Sequence, residues 1–398
     1  MRAGEVLQQL LAPCWAALDQ RLVRRLLGAI DALVASRQVV LMELARQYPG
    51  AARISAPLKA LDRLLSNPRI QRLRQTLYRT ALARFWPAAS PVIVVDWSTL
   101  TRDESLHLLR AALPVGGRAL PVWDEVHRQD KLGNAQVHAG FLATLRRLLP
   151  LESVPILITD AGFCVPWFRS AEALGFNCIG RLRGRTLLKP TNENVWVPVG
   201  ALEALGVGRL LDLPACHVSK QHRHRARIVV YKNPPQGRTD RGAKKQRLRG
   251  SGSRAQAKSA REPWVLVVSP ALAHLSARQV VDLYRRRMQI EEGFRDLKSP
   301  RHGAALRHSM TRVPARMEVL ILLHALASVA AWLRGQVACR DREDRRLLAH
   351  NQAINRPSPT LSVWRIGWEI LKRGWPPSSQ GGPGTTPLPA GSAVAVPI

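Results

Sequence analysis

The chain has 398 residues, enough for two or three domains with substantial cores, and 46% of it is hydrophobic, which excludes a disordered basic tail. Lys and Arg number 60 against 28 Asp and Glu, a formal net charge of +32. Such a field implies a polyanion, DNA or RNA, as partner; no basic amphipathic helix or anchor points to a membrane surface. The five cysteines (Cys14, Cys164, Cys178, Cys216, Cys339) are odd in number and scattered. They form neither a disulfide framework nor a CxxC metal pair, which predicts a reducing cytoplasm. No long apolar run with a small-residue cleavage site opens the chain, which argues against secretion. The most apolar helical run, Val319 to Trp332, is too short for a membrane span and contains His324, so it reads as a buried core helix.

Residues 1–88 read as helical. Leu58, Leu61, Leu64 and Leu65, then Leu73, Leu77 and Leu82, recur at helical spacing with a break at Asn67-Pro68. With its many arginines this region predicts a small basic helical domain that grips DNA, although an ordinary helical cap has the same pattern. The texture changes at Pro91. Val92 to Val95 predicts a buried strand that stops at Asp96. Leu106 to Ala112 and Arg118 to Val126 predict two further strands, with a turn at Gly116-Gly117 between them. An amphipathic helix (Gln136 to Leu149), a second buried strand (Pro155 to Thr159) ending at Asp160, a helix (Val165 to Leu174) and a short strand (Cys178 to Leu182) follow. Three strands, helix, strand, helix, strand is the order of a ribonuclease-H-like α/β core, here over 89–184.

Between 185 and 275 the helical signal disappears. Trp196 to Val199, Ala226 to Tyr231 and Trp264 to Val268 predict strands of a β-rich insertion domain. Inside it, the basic low-complexity stretch 233–261, with Lys244, Lys245, Arg247 and Arg249, predicts a flexible loop that orders on nucleic acid. Helices resume at Ser276: 276–335 completes the core and 336–375 makes a helical C-terminal region. The segment 376–398, rich in Pro, Gly, Ser and Thr, is predicted to be disordered.

The segment 284–298 carries the most chemistry. On one helix, Tyr284, Arg287, Glu291 and Lys298 fall within a narrow stripe, beside an apolar stripe of Leu283, Ile290, Phe294 and Leu297. An acid between cations suits a metal-and-phosphate site, and Glu292 points about a quarter turn away. The plain alternative is a helix salt bridge of Glu291 with Arg287 or Arg295. Asp96 and Asp160 are the other acids in a special setting, although either alone could cap a turn. Carboxylates gathered at strand ends repel one another unless a cation neutralises them. Mg²⁺ takes oxygen ligands, and two ions about 3.5–4 Å apart suit phosphodiester chemistry. Arg287 and Lys298 would hold the DNA backbone, a contact that fixes position and reads no sequence.

Other acids near the sheet (Asp103, Glu104, Asp124, Glu125) read as surface, with Asp124 the nearest to a supporting role. Cys216, His217, His222 and His224 lack the tight spacing of zinc pairs and lie among arginines. Arg181, Arg183, Arg185 and Lys189 predict the lining of a DNA groove.

The spacing Y-x2-R-x3-E-x6-K, met by Tyr284, Arg287, Glu291 and Lys298, resembles the signature of the bacterial transposases grouped as the insertion sequence four family. These belong to the DDE superfamily, whose catalytic core is ribonuclease-H-like, as in the retroviral integrases. Asp96 in Val-Val-Asp-Trp-Ser-Thr and Asp160 in Ile-Thr-Asp-Ala-Gly-Phe match as well. The interval from Asp160 to Glu291 resembles the family's β-rich insertion domain, so the likeness covers about 55 to 335. It implies that Asp96, Asp160 and Glu291 bind two catalytic Mg²⁺ ions, with Mn²⁺ as a substitute. By the same likeness Tyr284, Arg287 and Lys298 would touch phosphates near the cleaved end. Trp264 would either stack on a flipped base, worth about 1–3 kcal/mol, or serve as a core residue. The implied function is a DNA transposase that cuts the ends of its own element and joins the freed 3′-ends to a target. A nuclease without strand transfer and an inactive DNA-binding relic are the alternatives. The expected partners are double-stranded DNA and a second copy of the chain, with no membrane and no small-molecule substrate. The expected location is the bacterial cytoplasm, on the nucleoid when bound.

Overall fold

The β-branched run at Val92 forms strand β1 (Val92–Thr99) in the computed structural model, which describes residues 1–16, 18–83, 86, 90–234, 262–348 and 361–376. Most of the predicted basic loop (235–261) and the predicted disordered tail (377–398) lie outside the described residues. The chain divides into two units. The first holds Met1–Asn134, Ala143–Ser153 and the described residues from Met288 onward; the second holds Ala135–Leu142 and Val154–Arg287.

In the first unit, β1, β2 (Leu106–Pro114) and β3 (Ala119–Arg128) form an antiparallel meander in the order β3-β2-β1. The turn between β2 and β3 places Gly116 at φ 81° and Gly117 at φ 77°, and the Val115 N–H donates to Arg118 O at 2.8 Å. Two successive positive φ values are what a two-residue hairpin with the right twist demands, and glycine meets that demand without strain. One expectation changes here. β1 does not stop at Asp96 but pairs onward through Trp97, Ser98 and Thr99 with Leu109, Leu108 and His107. Trp and Thr favour a half-buried pleated surface, so a single acid does not end the strand.

Helices α1 (Ala3–Leu10), α2 (Ala12–Trp15), α3 (Gln20–Ser36), α4 (Leu41–Arg46), α5 (Ser55–Leu65) and α6 (Pro68–Ala83) precede the meander. The Asn67-Pro68 break is a helix start: the Asn67 side chain accepts from Arg69 N at 2.9 Å, and Pro68 opens α6, where its missing N–H costs nothing. These helices belong to the same unit as α11 (Pro314–Arg340), and α1, α3, α5 and α6 pack against it. α11 is long and apolar enough to cross a membrane, yet 89% of its most apolar window is buried inside the protein. It is apolar all round because it is covered all round. Helix α12 (Val363–Arg373) crosses α11 at two glycines. A Cβ on Gly367 would stand 1.7 Å from Ala331 O, and one on Gly335 would stand 2.0 Å from Val363 O.

The second unit contains β4 (Ile156–Thr159), α8 (Val165–Ala173) and β5 (Asn177–Leu182); β4 and β5 are parallel, with α8 as the crossover. The sheet continues antiparallel through β10 (Trp264–Val268), β9 (His224–Tyr231), β8 (Leu210–Val218), β6 (Leu187–Pro190) and β7 (Val197–Pro198), in the order β4-β5-β10-β9-β8-β6-β7. β6 and β8 are additions to the sequence reading. Helix α7 (Ala135–Leu148) begins in the second unit and ends in the first. The whole is a mixed α/β arrangement consistent with a ribonuclease-H-like transposase fold.

A further correction concerns 284–298. The predicted single helix is two: α9 (Ala277–Arg285) and α10 (Met288–Lys298). Between them, Arg286 N bonds to Leu283 O and Arg287 N to Tyr284 O, each at 3.0 Å. These are tight i to i+3 bonds, which wind the chain faster than an α-helix, so a single stripe cannot be carried across Arg286-Arg287.

Candidate active site

Asp96 lies inside β1 opposite Arg110 of β2, and is 9% exposed. Its Oδ1 accepts the Trp97 N–H at 2.8 Å, which orients the carboxylate. α10 docks beside it. Ile290, Phe294 and Leu297 are buried, as their spacing predicts, and Lys298 Nζ donates to Ser98 Oγ at 2.7 Å and to Thr99 O at 3.4 Å. Burial lowers the Lys298 pKa to about 8, aided by Arg307 and opposed by Asp96. Lys298 therefore fastens α10 to the Asp96 strand.

Glu291 is exposed in the first turn of α10. Its neighbour Glu292 pairs with Arg118 at 3.7 Å and with Arg295. Arg295 is thus the partner of Glu292, and the neighbouring acid has a structural role of its own.

Beneath this face runs a buried polar network that the sequence did not reveal. Asp124, read as surface, is 0% exposed. It accepts Arg110 Nε at 2.7 Å, Arg110 Nη2 at 3.0 Å and the Tyr78 hydroxyl at 2.8 Å. Burial and Asp124 push the Tyr78 phenol well up. Arg74 bonds to Asp124 O and pairs with Glu318, whose Oε1 accepts the Val126 N–H at 3.0 Å. Nearby, burial raises Asp296 to about 6 against the pull of Arg118, and burial lowers His324 to about 3 with help from Arg110.

In the second unit, Asp160 follows β4 directly, as predicted, and its Oδ1 accepts the Gly162 N–H at 2.8 Å. It borders a cleft of about 520 Å³ that is also lined by Gly162, Arg183, Val199 and Glu262. Glu262 Oε2 accepts Arg183 Nε at 2.8 Å and lies 3.5 Å from Arg181 Nη2. The two arginines expected in a DNA groove are thus held by one carboxylate. Burial lowers Arg181, with Tyr284 opposing. Tyr284, expected at DNA phosphates, is 3% exposed and meets Trp264 edge-on, with ring centroids 4.9 Å apart. Trp264 is half-buried in this pair. Arg287 is half-buried in the turn after α9.

The Cys216 and His224 side chains are buried on neighbouring strands. Among the described residues, no group of three or more His, Cys, Asp or Glu side chains is placed to hold a metal ion. Asp96 and Glu291 belong to the first unit and Asp160 to the second. As donors the three are carboxylate oxygens, the type that suits Mg²⁺, and the two aspartates are each oriented by a backbone N–H.

One acid thus lies inside the first strand of a meander and a second at the end of a parallel strand, in a mixed α/β arrangement. A family model described as a transposase DDE domain matches residues 87–329, more than half of the chain and all three acids. The chain belongs to that family, which makes it a transposase with DNA as its partner. No curated protein matches it. Glu262 and Arg110 are the residues that sequence reasoning missed. The one available signal was that Glu262 is a lone acid between a basic stretch and a β-branched strand.

Proposed function

We propose that the chain is an insertion-sequence transposase of the insertion sequence four type, which cleaves DNA at the ends of its own element and transfers the 3′-ends to target DNA. Asp96, Asp160 and Glu291 are the acids that would hold two Mg²⁺ ions, whose chemistry there would be activation of water or a 3′-hydroxyl and stabilisation of the leaving oxygen. The backbone N–H groups of Trp97 and Gly162 fix the two aspartates, so little reorganisation is needed at the reacting phosphate. Lys298, tied to Ser98, contributes a positive charge beside Asp96, and Arg287 holds the DNA backbone. The observation that carries the reading is the anchoring of the Glu291 helix to the Asp96 strand through Lys298, within a family match that spans every proposed catalytic acid. The proposed setting is the bacterial cytoplasm, with two copies of the chain synapsing two ends.

The test uses purified protein, Mg²⁺ and a duplex bearing the inverted repeat that flanks the gene. The wild type gives a nick with a 3′-hydroxyl and then a joined product, while Asp96→Asn, Asp160→Asn and Glu291→Gln bind without cutting. Cutting without joining identifies a nuclease; binding without cutting by the wild type identifies a relic. Variants that cut like the wild type overturn the assignment of the acids.

A further inference from the structure

Strand pairing puts Asp96 at the end of a row of charged side chains. Asp96 of β1 pairs with Arg110 of β2, and Arg110 pairs with Asp124 of β3. Directly opposed residues of an antiparallel ladder point to the same face, so an acid, an arginine and a second acid stand side by side. It is the face that α10 covers. The Arg110 guanidinium carbon stands 5.7 Å from the Phe294 ring centroid, and Lys298 bonds to Ser98, two residues on from Asp96. Opposed Cβ atoms are about 4.5–5.5 Å apart, a gap that an arginine side chain spans in either direction. Arg110 therefore has a carboxylate within reach on each neighbouring strand, and all of these groups lie in the first unit.

Of the two, Arg110 takes Asp124. Its Nε donates to Asp124 Oδ1 at 2.7 Å and its Nη2 to Asp124 Oδ2 at 3.0 Å, the two-pronged geometry that fits a guanidinium to a carboxylate. Asp124 is itself held from its other side, since the Tyr78 hydroxyl donates to Oδ2 at 2.8 Å and Arg74 bonds to Asp124 O. With Asp124 0% and Arg110 1% exposed, water is no substitute partner for either. The choice matters because a guanidinium and a divalent cation bind a carboxylate through the same oxygen lone pairs. An arginine forked onto Asp96 would occupy the atoms that a metal ion needs. Arg110 cannot shed its charge, so without Asp124 it would turn to the carboxylate on the adjacent strand.

We propose that Asp124 is a positioning residue for the metal site: it holds Arg110 on the β3 side of β2, so that the guanidinium does not take the Asp96 oxygens from a divalent cation. This rests on the reading of Asp96 as a metal ligand. Asp124 touches neither metal nor DNA in this role and acts only through Arg110. Its loss should therefore be cured by removing Arg110 as well, and the loss of Arg110 alone should leave the metal in place.

The test measures Mn²⁺ binding through the free-ion electron paramagnetic resonance signal, on full-length protein with a pre-cut inverted-repeat duplex, at a temperature where circular dichroism shows the variants folded. Asp124→Asn keeps the shape and an acceptor for Tyr78 but removes the charge that holds Arg110. It should weaken Mn²⁺ binding at least about tenfold, the usual effect of losing a group that orients a metal ligand. Arg110→Met and Arg110→Met/Asp124→Asn should both bind within about threefold of wild type. A role in folding alone predicts the opposite pattern, because the two single variants break the same buried pair and would weaken Mn²⁺ alike. The Mg²⁺ concentration that half-saturates cleavage gives a second readout: it should rise for Asp124→Asn, with the maximal rate recovered at high Mg²⁺. Unchanged Mn²⁺ affinity in Asp124→Asn, or an affinity loss in Arg110→Met, overturns the proposal and leaves the three acids as metal ligands. The Arg110→Met arm decides even where Asp124→Asn melts too early to assay. A wild type that binds no more Mn²⁺ than Asp96→Asn overturns the metal reading, and the proposal with it.

Discussion

Removing the carboxylate of Asp124 should be among the most damaging single changes in the first unit. The side chain is 0% exposed, and three hydrogen bonds converge on it: two from Arg110 and one from Tyr78. Asp124→Leu deletes all three and leaves the Arg110 guanidinium, 1% exposed, without its counter-charge. Breaking a buried pair from one side costs about 3–5 kcal/mol, since the survivor keeps its desolvation penalty. At about 2–4 °C per kcal/mol for a body of this size, the melting transition should fall by roughly 10 °C. The reciprocal change, Arg110→Met, should cost a similar amount. The double variant Arg110→Met/Asp124→Leu should be less damaged than the sum of the singles, because an apolar pair of similar volume carries no charge penalty; about 1–3 kcal/mol remains for the buried Tyr78 hydroxyl, which loses its acceptor. Thermal melting of the four proteins by circular dichroism is the assay. A single variant that melts within about 2 °C of wild type, or a double variant as unstable as the sum of the singles, refutes the reasoning.

Lys298 should give stability an alkaline slope. Its folded pKa of about 8 lies below the ordinary 10.5, so between these values the unfolded chain binds more protons and stability rises with pH. Lys298→Met should flatten urea-denaturation midpoints measured across that window; an unchanged slope assigns it to other groups. Gly367→Ala should cost at least about 3 kcal/mol, because the new Cβ would meet the Ala331 carbonyl, a backbone atom that cannot step aside. A near-native melt for this variant would show that the helix crossing can open. Glu262→Gln should tighten DNA binding and steepen its salt dependence by about 0.9 per arginine released to a phosphate. An unaltered slope in a salt titration would mean that Arg181 and Arg183 do not reach DNA.

What the sequence disclosed follows from where local chemistry dominates. The Gly116-Gly117 turn, the strands at Val92 and Ile156, and the buried face of α10 all lie in short windows whose pattern admits one answer. Asp160 was legible for the same reason, standing at the end of such a window. The helix break at Arg286-Arg287 was not, since two arginines are good helix formers and only the surroundings impose the turn. β8 was hidden because Pro214 interrupts it and its first residues lie half-exposed, leaving no apolar run. Asp124 was misread because an acid in a strand looks solvated unless its partner is known, and Arg110 is its partner only through the β2–β3 pairing. Glu262 was overlooked in like manner, its two arginines lying some eighty residues earlier.

The packing of α3 on α11 has a consequence for the order of events in synthesis. α3 is among the first segments made, while α11 comes after the entire second unit. At about 5–20 residues per second, the interval between them is on the order of tens of seconds. Throughout it, the apolar face of Leu22, Leu26, Ile30 and Leu33 has no α11 to cover it. α1, α4 and α5, which also pack on α3, are made early, so a nascent or prematurely ended chain lacks only the α11 part of that cover, and the first unit closes late in translation.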